Sequence, residues 1–123
     1  MNKIMNKIIL LSLALTQSAI AEKIPSGIWQ QIDSNAGACG HCQITTNAVT
    51  PDILSISSNN GWVGYASYNS QQDKYMGVMQ WESGKGGAYE NILLSIDIKY
   101  DGNMAYLEAK SSIGNFSVRY LRN

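Results

Sequence analysis

The sequence predicts an all-β protein, an antiparallel eight-stranded up-and-down barrel, with a β-sandwich as the alternative. Three observations predict it. Beyond the first 21 residues, no stretch of ten or more carries helical periodicity. Short runs rich in β-branched and aromatic residues alternate instead with clusters of Gly, Asn, Asp and Ser. Every connection is short, so each strand pairs with the next, and a parallel sheet would need crossovers for which there is no room. Eight meandering strands leave open edges that invite aggregation, and closure removes them.

The runs are Gly27–Asp33, His41–Asn47, Asp52–Ser57, Trp62–Asn69, Lys74–Glu82, Ala88–Tyr100, Met104–Lys110 and Asn115–Leu121. Asn59-Asn60-Gly61 and Asp101-Gly102-Asn103 supply residues that tolerate positive φ, as tight hairpins require. Asn69–Asp73 and Ser83–Gly87 are looser polar connections. Alternation assigns the faces. Trp62, Gly64, Ala66 and Tyr68 share one side of the fourth run, opposite Val63, Tyr65 and Ser67. In the fifth, Tyr75, Gly77, Met79 and Trp81 oppose Met76, Val78, Gln80 and Glu82. In the sixth, Ile92, Leu94, Ile96 and Ile98 form an apolar stripe, and the last run sets Phe116, Val118 and Tyr120 against Ser117, Arg119 and Leu121.

The N-terminus reads as a targeting segment. Lys3 and Lys7 precede the apolar run Ile8–Leu15, and Ala19-Ile20-Ala21 fits a small-x-small cleavage site. The apolar run is shorter than the roughly 20 residues a membrane span needs. The expectation is a signal peptide over residues 1–21, a single domain over 22–123, and a bacterial protein that is periplasmic or secreted. Removal of that segment leaves seven basic against nine acidic residues. This balance gives no electrostatic footprint for nucleic acid. With 45% hydrophobic and 15% charged residues, the chain is too apolar for disorder.

Ser26-Gly27-Ile28-Trp29 opens the domain, and Arg119 and Arg122 lie near its end. A Gly-x-Trp on the first strand, a β-meander and a late Arg resemble the calycin superfamily, which includes the lipocalins, fatty-acid-binding proteins and avidins. The resemblance implies a barrel closed at one end by Gly27 and Trp29, with Arg119 or Arg122 packed over the indole. A guanidinium over an indole face is attractive by on the order of 1 kcal/mol.

Cys39-Gly40-His41-Cys42 resembles the active-site tetrapeptide of protein disulfide isomerases, which implies Cys39 as nucleophile and Cys42 as resolving thiol. The context departs from that family. The tetrapeptide leads into the strand-like Gln43-Ile44-Thr45-Thr46 rather than a helix. A small structural disulfide in an oxidising compartment is the favoured reading. Three soft ligands fall short of the four a structural zinc takes, so no metal is assigned.

Trp62, Tyr65, Tyr68, Tyr75 and Trp81 cluster on two neighbouring runs and are the candidate ligand-binding residues, with Tyr89, Tyr100, Tyr106 and Tyr120 in support. Core filling and cross-strand packing are the alternative. Gly64, Ala66 and Gly77 favour a cavity, because small residues leave space. Ser83–Gly87 lacks the spacing of a phosphate-binding loop, and the carboxylates are scattered. No catalytic set and no cofactor motif is complete, so a binding role is favoured over an enzyme. The expectation is a module for a small apolar or aromatic ligand or a protein partner. The alternatives are an inhibitor of a secreted hydrolase such as lysozyme, a thiol–disulfide exchanger through Cys39 and Cys42, and a surface assembly subunit.

Overall fold

A computed structural model describes residues 26–123. The expected signal peptide at residues 1–21, and residues 22–25 of the expected domain, lie outside that range. The described chain is a closed antiparallel barrel in which the eight strands stand in sequence order. They are β1 (Gly27–Ser34), β2 (Gln43–Thr50), β3 (Ile53–Ser58), β4 (Trp62–Asn69), β5 (Lys74–Trp81), β6 (Leu93–Asp101), β7 (Met104–Ser111) and β8 (Gly114–Arg122). Pairing of β1 with β8 closes the ring, Trp29 standing opposite Arg122 and Gln30 opposite Leu121. The barrel therefore replaces the alternative sandwich.

The alternation read from sequence sets the interior. Ile44, Leu54, Ile56, Met79, Leu94, Ile96, Ile98 and Leu107 fill the middle, none more than 2% exposed. An eight-stranded barrel is just wide enough for side chains to fill, and here they do so at mid-height. The register shifts between Gln31 and Asp33 on β1, and between Ala48 and Thr50 on β2. The extra residues, Ile32 and Val49, are exposed. Such bulges raise the local twist that a small closed barrel needs.

Two expectations need correcting. The sixth strand begins at Leu93, not at Ala88. Gly86 and Gly87 adopt positive φ and lead into a short 3-10 turn over Gly87–Tyr89. The chain is thus turned back across the barrel end before β6 starts.

Gly64 and Gly77 leave no cavity either. A Cβ on Gly64 would lie 2.7 Å from the Val78 carbonyl oxygen, and one on Gly77 would lie 2.6 Å from Ala66 Cα. These glycines permit close approach of β4 and β5, the usual reason for glycine inside a strand.

Candidate functional site

The two ends of the barrel differ. One end is plugged. Trp29 is fully buried there, and its indole N–H donates to Thr46 Oγ1 at 3.0 Å. Its ring lies 5.1 Å from that of Tyr100, and Tyr100 in turn lies 5.8 Å from Tyr75, edge to face. Arg122 places its guanidinium 5.3 Å from the Trp29 ring centroid and donates to the Ser26 carbonyl oxygen at 2.6 Å. Gly27, at φ 153°, lets the guanidinium pass close to the backbone.

Of the two candidate arginines, Arg119 is thus corrected. It pairs with Asp33 at 2.8 Å on the outer wall, both side chains being more than half exposed. Alternation explains the choice, since Phe116, Val118 and Tyr120 point inward and Arg122 keeps their parity while Arg119 breaks it.

The other end is open. It holds a cavity of about 500 Å³, with Trp62, Trp81, Tyr89 and Phe116 in its wall and Val118 and Tyr120 among its lining. That volume lies within the range of small-molecule sites. Trp62 and Trp81 face each other across the β4–β5 ladder, and the Tyr89 and Phe116 rings meet edge to face at 5.4 Å. The loop after β5 folds over Trp81, because Gly86 lies so near the indole that a Cβ there would overlap it. The Trp81 indole nitrogen is buried without a hydrogen-bond partner.

The β1–β2 connection forms the opposite rim. Cys39 and Cys42 are joined in a disulfide with Cα atoms 5.4 Å apart, and both line the cavity. Gln30 Nε2 donates to the carbonyl oxygens of Gly40 and Cys42, and Gln43 Nε2 donates to Gln30 Oε1. Asn59 anchors the same segment by donating from Nδ2 to the His41 carbonyl oxygen at 2.7 Å. β2 follows this tetrapeptide directly, so no helix dipole acts on it.

Cys42 is 5% exposed. Replacing both cysteines by serine is expected to cost about 2 kcal/mol in urea denaturation, the chain-entropy value for so short a loop. Glutathione titration with thiol mass tagging is expected to give a reduction potential below about −300 mV, and one near −200 mV would restore an exchange role.

The five candidate aromatics do not form one site. Trp62 and Trp81 reach the cavity. Tyr75 packs against Tyr68 and Tyr100 at the plugged end. Tyr65 points outward and is 61% exposed. Of the supporting tyrosines, Tyr89 and Tyr120 line the cavity, while Tyr106 faces out. Phe116 and the loop residues Ala36–Cys39 complete the wall. Phe116 was legible as inward-facing, whereas the loop's place carried no signal in the sequence. Among the described residues, no group of three His, Cys, Asp or Glu side chains could hold a metal ion. No described helix is long and apolar enough to cross a membrane.

Burial raises the hydroxyl pKa of Tyr120, and burial followed by the neighbouring Tyr75 raises that of Tyr100. In the unfolded chain a tyrosine ionises near its ordinary value of 10.0. Above that pH the unfolded state loses protons that the folded state keeps, so stability falls as pH rises. Each group contributes up to about 1.4 kcal/mol per pH unit in that window. Alkaline unfolding is expected above pH 10 in pH-stepped urea titrations, with a shallower decline in Tyr120→Phe.

The sequence matches no protein-family profile, and no curated protein matches it. Among solved structures the chain is similar to a de novo designed fluorescence-activating β-barrel, with a TM-score of 0.54 at 19% identity. The match covers 84% of this chain and 97% of the designed one. At that identity the likeness is one of fold.

Proposed function

We propose that this chain is an exported, calycin-type β-barrel that binds a small apolar or aromatic ligand in the cavity at its open end. The observation that carries the reading is the contrast between the ends: one is plugged by Trp29, Tyr100 and Arg122, while the other keeps about 500 Å³ between aromatic walls. A filled mid-section makes the cavity a blind cup rather than a channel. Aromatic walls with a few neutral polar groups suit an apolar ligand. Gly27, Trp29 and Arg122 support the calycin relationship, and the targeting features of residues 1–21 support export to the periplasm or beyond.

Titration with N-phenyl-naphthylamine is expected to give saturable fluorescence enhancement at one site per chain. Ala88→Phe, which fills the cavity from its exposed rim, should abolish it. No saturable binding of this probe would overturn the reading.

A protein partner is the second reading, favoured by the outer wall of β4–β6. Tyr65 stands opposite Val78 there, and Tyr65 and Leu93 are each 61% exposed. The outward positions Val63, Ser67, Met76, Gln80 and Ser95 add no charge. Uncharged apolar patches of this kind mark interaction surfaces. A hydrolase-inhibitor role predicts a stoichiometric complex with a cell-wall hydrolase such as lysozyme in native mass spectra, lost in Tyr65→Lys.

A further inference from the structure

We infer that the ligand of the open-end cavity is electrically neutral, and that the site rejects fatty acids, sulfonates and phosphates of the same size. The inference rests on the ligand-binding reading above. Its ground is the charge census of the wall. Among the described residues, none that lines the cavity is Asp, Glu, Lys, Arg or His. The polar side chains present are Gln31, Ser34 and Asn60, all neutral.

The charges of neighbouring elements are engaged elsewhere. Asp33 and Arg119 pair with each other on the outer wall. The Glu90 carboxylate accepts from the Gly84 N–H at 2.6 Å. Lys85 lays its stem over Gly61, outside the lining. Arg122, the inward-facing cation, sits at the plugged end over Trp29.

An anionic headgroup brought among Trp62, Trp81 and Phe116 would lose water without gaining a counter-charge. Such an uncompensated charge is strongly disfavoured. A cation would fare better against the aromatic faces, but it too would find no carboxylate in the wall. A neutral, flat molecule loses little on entry and gains the full apolar contact.

The test uses two probes with one ring skeleton: neutral N-phenyl-naphthylamine and its anionic relative, anilinonaphthalene sulfonate. Binding to the cavity is read as the difference between the intact protein and Ala88→Phe, so that binding to the outer wall cancels. The neutral probe is expected to bind about 100-fold more tightly than the sulfonate, the scale set by an unpaired charge. Ser34→Lys places a cation in the wall and should narrow the gap at least about tenfold. Equal affinity of both probes, lost together in Ala88→Phe, would overturn the neutrality while leaving the cavity a binding site. Absence of both signals would overturn the binding reading itself and the inference with it.

Discussion

Gly77→Ala is expected to destabilise the barrel by about 3 kcal/mol or more, the upper range for overpacking. One methyl group rarely does so much. Here the added carbon would fall 2.6 Å from Ala66 Cα and inside the contact distance of the Tyr65 carbonyl oxygen. Both obstacles are backbone, so no side chain can rotate away. Relief requires parting β4 and β5 where Gly77 pairs with Ala66. Gly40→Ala is the control, because a Cβ at Gly40 meets nothing within 4 Å. It should stay within about 0.5 kcal/mol of the parent in urea denaturation followed by circular dichroism. A Gly77→Ala midpoint close to the parent would show that the two strands do not approach so closely.

Trp29→Ala is the second large effect, expected to cost about 3–5 kcal/mol, as for a fully buried large aromatic. It removes the ring that Tyr100 and Arg122 pack against and the N–H that Thr46 accepts. Trp29→Phe keeps most of the apolar volume and loses the donor, so about 1–2 kcal/mol is expected. Equilibrium unfolding of the two variants separates packing from hydrogen bonding. Equal losses would assign the whole effect to the hydrogen bond.

The two variants also bear on what was legible before the structure. Period-two alternation sorted Ile92, Leu94, Ile96 and Ile98 inward correctly, since a strand's side-chain direction depends on its own sequence. The same parity could have separated Arg122 from Arg119. The aromatic group was harder. Trp62 and Tyr68 share a face of β4, yet six residues of strand carry them roughly 20 Å apart, to opposite ends of the barrel. Facing the same way is not sharing a site.

Gly64 and Gly77 looked like empty space because composition cannot tell a void from a close backbone approach. The cavity wall contributed by Ala36–Cys39 depends on where the β1–β2 connection lies once the ring is shut, and no local pattern encodes that. The five-residue stretch before Leu93 looked like strand from its apolar content. The positive φ of Gly86 and Gly87 made it a turn instead.

Closure of β1 on β8 has a kinetic consequence. Seven of the eight pairings join strands adjacent in sequence, so they can zip as successive hairpins. The last must bring together groups such as Arg122 and Ser26, 96 residues apart. Loop-closure entropy places that event late in folding. Until it happens, β1 and β8 are both bare edges, open to pairing with another molecule. The Trp29–Arg122 contact sits on this seam, so it forms only in the committed ring and contributes little to the barrier for folding. Its loss should therefore appear mainly as faster unfolding, and aggregation of the chain should track the lifetime of the unsealed sheet rather than the exposed surface of the finished barrel.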